Sequence, residues 1–183
     1  MFDALSQIFF LPSHDLFAST HNAKCKEFFS RYPEINSSGE DAFGFAWPKF
    51  AAYAFPPFNL VGRVLAKVAG DGVQDFLLIC PNWTTQSWFP VLLEMLIDIP
   101  VRFSASDLSL SYRQNELHPL SQQLHLLGYR LSSSCSQIAE FQRRLQRLSR
   151  EASQRVQLHN TRQHLSIGKL SVLKGIVIPY FQM

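Results

Sequence analysis

Tyr53-Ala54-Phe55-Pro56-Pro57-Phe58 is an apolar stretch stopped by two prolines, and together with residues 59–81 it decides the fold. Tyr53-Ala54-Phe55 reads as a buried strand. Pro56 and Pro57 end it, because neither has an amide hydrogen for a sheet ladder and each fixes its φ angle. Residues 59–69 then place Leu60, Val64, Leu65 and Val68 on one helical face. Gly70-Asp71-Gly72 closes that helix. Asp75–Cys80 is the clearest strand of the chain, a continuous apolar run stopped by Pro81. Such a run is what a strand buried on both faces of a parallel sheet requires. Strand, helix and strand in that order predict a crossover unit.

The pattern extends in both directions. Phe2, Leu5, Ile8 and Phe9 fall at helical spacing before Pro12, and His14–Ala18 reads as a short strand. Residues 22–30 read as helical, or at least compact, with Lys24, Lys26 and Glu27 outward, and residues 31–41 carry turn chemistry around Pro33 and Asn36-Ser37-Ser38-Gly39. Trp88–Ile97 is a second amphipathic helix and Val101-Arg102-Phe103 another strand. The alternation predicts an α/β fold with crossover helices. Strand ends then gather on one edge, where such folds bind ligands. Asp15, Phe55–Phe58 and Pro81-Asn82-Trp83 lie at those ends.

Residues 104–136 are Ser-rich and read as a linker, with one packed piece near Leu117–Leu131. Residues 137–158 form a helix whose apolar stripe is Ile138, Phe141, Leu145, Leu148 and Ala152. Gly168–Met183 is apolar and β-prone, open between an edge hairpin and a poorly folded end. The chain therefore divides at 1–103, 104–136 and 137–183. No internal repeat is visible.

Composition narrows the function classes. Of 183 residues, 46% are hydrophobic and 17% charged, which supports one core and excludes disorder of the whole chain. No apolar run approaches the roughly 20 residues of a membrane span, so no membrane partner is expected. The first residues carry Asp3 and no basic cluster, so no signal peptide is expected. Cys25, Cys80 and Cys135 are odd in number and far apart, against a disulfide framework or a Cys-x-x-Cys zinc site. A reducing compartment, cytoplasmic or nuclear, follows. The six histidines are scattered, and no metal is expected.

Charge is uneven. Residues 1–110 hold 7 Lys/Arg and 11 Asp/Glu; residues 111–183 hold 10 and 3. Arg143, Arg144 and Arg147 could track nucleic-acid phosphates, form a solvated helix face, or flank an apolar stripe that docks on a neighbouring domain. Trp83 and Trp88 are either a base-stacking platform or packing anchors. Asp41 reads more simply as a turn residue than as a substrate-loop residue.

A Pro-Pro step followed by an aromatic ring after a strand is also the physical core of the amino-methyltransferase motif [Asp/Asn/Ser]-Pro-Pro-[Tyr/Phe/Trp]. Residues 2–103 resemble the phage-type DNA adenine methyltransferases. The likeness rests on Phe2-Asp3-Ala4-Leu5, Asp15-Leu16-Phe17-Ala18-Ser19, Asn22-Ala23-Lys24, Asp41-Ala42-Phe43 with Trp47, Phe55–Phe58, Leu77–Pro81 and Thr85-Gln86-Ser87-Trp88-Phe89. The strings Tyr53–Phe58, Leu60-Val61-Gly62-Arg63-Val64-Leu65 and Pro81–Pro90, with Glu116–Leu120 and Tyr129–Ser132, look like DIRS-type retrotransposon polyproteins over residues 2–150. There a methyltransferase-like domain accompanies polymerase and recombinase domains.

The resemblance implies a Rossmann-like methyltransferase sheet, truncated, with a helical C-terminal extension. It implies S-adenosylmethionine as cofactor, held in part by Asp15, Ser19 and Asn22, and DNA or RNA as partner. It assigns Phe55, Pro56, Pro57 and Phe58 to the catalytic motif, with Phe58 stacking on a flipped base. Two departures stand out. Phe55 occupies the place of the polar acceptor for the adenine amino group, and losing one preorganised contact at a reacting centre costs about 3–4 kcal/mol, or roughly 100- to 1,000-fold in rate. Met1 falls after the place of the family's Trp-x-Thr-Pro segment, so part of the cofactor side is expected to be missing, and no Gly-x-Gly loop replaces it. The expectation is a degenerate methyltransferase-like domain serving as a polyprotein or nucleic-acid-binding module. The alternative is an active enzyme with a variant Phe-Pro-Pro-Phe motif.

Overall fold

The computed structural model describes residues 1–104, 124–158, 167–173 and 176–182, with their side chains described through residue 150 and at 178–180. In chain order the elements are α1 (Phe2–Ile8), β1 (His14–Asp15), β2 (Glu27–Ser30), β3 (Gly39–Glu40) and β4 (Ala52–Ala54). A 3-10 turn, Phe58–Leu60, leads into α2 (Val61–Asp71), then β5 (Phe76–Pro81), α3 (Phe89–Glu94) and β6 (Val101–Arg102). The rest is β7 (Leu126–Leu131), α4 (Cys135–Leu158), β8 (Ile167–Leu173) and β9 (Ile176–Gln182).

The strands form one sheet in the order β3-β2-β1-β4-β5-β7-β6-β9-β8. From β3 to β5 every pairing is parallel. β7 runs antiparallel to both β5 and β6, which leaves β5 and β6 pointing the same way. β9 is parallel to β6, and β8 returns antiparallel beside it. This mixed, mostly parallel α/β sheet is compatible with a Rossmann-like fold.

The side-chain alternation of a strand explains the two cores. All six residues of β5 are buried. Phe76, Leu78 and Cys80 enter the core built with α2, α3 and α4, whereas Leu77 and Ile79 enter the core under α1. β4 divides the same way, Ala52 and Ala54 against Tyr53, and so does β7, Leu127, Tyr129 and Leu131 against Leu126. α1 brings Phe2 and Leu5 to the second core. A Cβ on Gly128 would overlap Leu5 Cδ2, so only glycine lets α1 sit this close to β7. Gly72 ends α2 in the left-handed region, at φ 72°, as its place after the apolar stripe predicts.

Several expectations change. Residues 22–30 are not helical: their second half is β2, where exposed Glu27 precedes buried Phe28 and buried Ser30 with the period of a strand. The helix expected over Trp88–Ile97 stops at Glu94, because Leu96 bridges to Leu131 and the Ile97 amide donates to the Arg130 carbonyl. Among the described residues, helical crossovers join β4 to β5 and β5 to β6, whereas β1 to β2 and β2 to β3 are joined without a helix. The sheet also crosses the boundary drawn at residue 103. β7, inside the stretch 104–136 read as linker, is a central strand. Phe141 and Leu145 of α4 and Ile178 of β9 lie in the same core as α2 and α3, so the basic helix is part of the body of the fold. Glu116–Leu120 lies outside the described residues, as does the side chain of Ala152.

Candidate functional site

Because β1, β4, β5 and β6 share one direction, their carboxyl ends meet one edge of the sheet. The order reverses between β1 and β4, which carry chain to opposite sides. Open α/β sheets bind ligands at such a switch point.

Asp15 ends β1 at that point, paired in register with Tyr53 of β4, so both side chains leave the same face. Asp15 is only 3% exposed. Its Oδ1 accepts from the Phe17 amide at 3.3 Å and its Oδ2 from the Lys24 amide at 3.0 Å. Burial raises its carboxyl above the ordinary value, against the opposing pull of those two amides and the Lys24 charge. Burial likewise pushes the Cys25 thiol up to about 12, and the Asp15 charge adds to it. The Tyr53 hydroxyl is raised by the same two causes. Asn22 Oδ1 accepts from the Ser19 amide at 2.7 Å and the Ser19 hydroxyl at 3.1 Å. The three residues that the resemblance assigns to S-adenosylmethionine are thus engaged in bracing their own loop. Each Asp15 oxygen spends one of its two lone-pair sites on an amide of that loop.

The Phe55–Phe58 loop follows β4 directly. Phe55 and Phe58 are half-buried against the core under α1, and Pro56 is buried. The Pro57 carbonyl accepts from the Leu60 amide at 2.9 Å, which starts the 3-10 turn. Among the described residues, no amide donates to the Pro56 carbonyl. The Phe55 and Phe58 ring centroids are 6.3 Å apart. Trp83, just past β5, is 40% exposed and meets Phe58 edge to face. Three aromatic rings from two strand ends therefore form one partly exposed surface. No polar group stands at position 55.

The other candidates separate from this surface. Trp88 packs on the core of α2 and α3, with its Cβ 3.6 Å from where a Gly62 Cβ would be, and is an anchor. Asp41 caps its own turn, accepting from the Phe43 amide at 3.1 Å. Arg144 is ion-paired to Asp98 at 2.7 Å, and Arg143 to Glu140 at 2.9 Å. Arg147 is exposed and meets no carboxylate among the described residues. A cluster that sequence reasoning missed lies past β5 and β6: Asn82, Arg102, His125 and Tyr180. No local spacing signals it, because it is assembled from four separate parts of the chain.

Among the described residues, no three His, Cys, Asp or Glu side chains form a metal-holding group, and no helix is long and apolar enough to cross a membrane. No family model, curated protein or solved structure matches the chain.

Proposed function

We propose that this chain is a DNA adenine methyltransferase-like domain of a retroelement polyprotein, degenerate in catalysis, that serves as a nucleic-acid-binding module. The observation that carries the reading is the placement of Phe55-Pro56-Pro57-Phe58 at the carboxyl end of β4, with Phe58 against Trp83. A base leaving its stack needs an aromatic face at a strand-end loop, and this edge offers one. The sheet order supports the same reading. It keeps the doubly wound order 3-2-1-4-5-6, with a reversed strand, β7, between β5 and β6 and the β9–β8 pair added beyond β6.

Catalysis is where the residues fall short. A phenyl ring at position 55 accepts no hydrogen bond from an exocyclic amine, and Asp15, Ser19 and Asn22 are occupied within their own loop. In this reading the missing acceptor at position 55 is what weakens methyl transfer. The chain's contribution is to hold a strand, beside the polymerase and recombinase domains of the parent polyprotein, in the cytoplasm or nucleus. Fluorescence anisotropy with a labelled single DNA strand tests this: salt-dependent binding is expected, and a folded sample that binds no strand overturns it.

A further inference from the structure

Past the carboxyl ends of β5 and β6 lies a cavity of about 170 Å³ lined by Asn82, Arg102, His125, Leu127 and Tyr180. Arg102 ends β6, and its guanidinium donates to the Tyr180 hydroxyl at 3.0 Å. It also meets His125 Nδ1 at 3.1 Å, and since arginine only donates, Nδ1 is the acceptor. The guanidinium carbon lies 5.5 Å from the Tyr180 ring centre. Neither partner is a carboxylate. They fix the plane of the guanidinium without neutralising it, and among the described residues no carboxylate meets it. Arginine has five N–H donors, so donors remain for a ligand.

Asn82 adds a second, independent observation. Its side-chain oxygen is shielded from solvent and has no partner among the described residues. A half-turn of the amide places its NH2 group where the oxygen stands, so the side chain can offer a donor as readily as an acceptor. An Asn82 amide whose oxygen has no partner, and a held guanidinium that no carboxylate among the described residues meets, line one cavity, which suits an anion with several acceptor oxygens. Asn82 is followed directly by Trp83, whose ring meets Phe58. Leu127 and Tyr180 belong to the core built with α2, α3 and α4 and Phe58 to the core under α1, so the cavity and the aromatic surface reach that edge from opposite faces of the sheet.

We propose that this cavity binds a nucleotide phosphate. The inference rests on the nucleic-acid-binding reading only in placing that phosphate in a strand; a free mononucleotide offers the same chemistry. Two probes separate these sources: a fluorescein-labelled 12-nucleotide single DNA strand followed by anisotropy, and adenosine monophosphate followed by calorimetry. The variants are Arg102→Gln and Asn82→Asp, the second close in shape to the native residue and adding a negative charge to the cavity. Each is expected to weaken strand binding roughly tenfold, and Arg102→Gln to lower the salt slope by about one. If only the mononucleotide binds, and both variants abolish that binding, the phosphate site stands and the strand-binding reading falls. Unchanged affinity and salt slope in both variants overturn the site and leave that reading intact. A folded wild-type chain that binds neither probe overturns both. Should Arg102→Gln fail to fold, Asn82→Asp decides alone.

Discussion

The rings of Phe58 and Trp83 meet edge to face, their centroids 5.4 Å apart and their planes at 81°. The contact joins the loop after β4 to the loop after β5 while leaving Trp83 40% exposed. A stacked base contributes about 1–3 kcal/mol. Trp83→Ala is therefore expected to weaken binding of a single strand about tenfold, and to leave the urea midpoint almost unchanged. Anisotropy and a denaturation curve on the same sample check both halves. A strand affinity unaltered by the substitution removes the stacking role.

Leu5 and Gly128 form a second pairing that the fold depends on. A methyl group on Gly128 would overlap both Cδ atoms of fully buried Leu5. Gly128→Ala should destabilise the chain by about 1–3 kcal/mol through overpacking. Leu5→Ala alone should cost about 2–5 kcal/mol by opening a cavity. In the Leu5→Ala background the added methyl group has room, so Gly128→Ala should cost little there. A double-mutant cycle by urea denaturation measures that coupling; strictly additive effects would contradict the packing.

Asp15 gives a pH dependence with a definite sign. Burial, the largest cause, raises its carboxyl above the ordinary value of 3.8. The folded state then holds the proton more tightly than the unfolded chain. Below the unfolded value both states are protonated and nothing is lost. As pH rises from there through the folded value, a buried group must ionise and stability falls. Asp15→Asn cannot ionise, though it gives up one of two accepted amide bonds. Its stability relative to wild type should improve as pH rises through that window, then level off. Urea unfolding at about pH 3.5 and about pH 7, on either side of that ordinary value, tests the direction.

Asp98 fastens α4 to the sheet. It accepts from Arg144 at 2.7 Å and lies 3.7 Å from Arg130, which itself bonds Asp75 at 2.6 Å. Arg144 is half-exposed, so the pair is screened by solvent and worth at most about 1 kcal/mol. Arg147→Ala should weaken strand binding more than Arg144→Ala does, because Arg144 is already paired. Salt titrations of both variants check the order, and a larger loss for Arg144→Ala would contradict it.

The parts of the fold written in local pattern are legible in the sequence. β5 is six buried residues in a row, and α2 has both its apolar stripe and its terminating Gly72. β2 reads as a helix because Lys24, Lys26 and Glu27 mimic a helix face, while its true pattern spans only four residues between two neighbours. β7 is hidden for a different reason. Gly128 and Arg130 interrupt its apolar run, and each is explained only by a distant partner, Leu5 for one and Asp75 for the other. The site divides along the same line. Phe55–Phe58 and Trp83 follow strands, so local pattern places them at the edge. The Arg102 cavity has no such signal, since it exists only once β6, β7 and β9 lie side by side.

The central claim is strand binding without methyl transfer. The measurement is incubation of the purified chain with S-adenosylmethionine carrying a labelled methyl group and an adenine-containing DNA, with DNA binding established by anisotropy in the same sample. The account predicts bound DNA and no label on it. Label that reaches adenine, and disappears in Pro56→Ala, would contradict it.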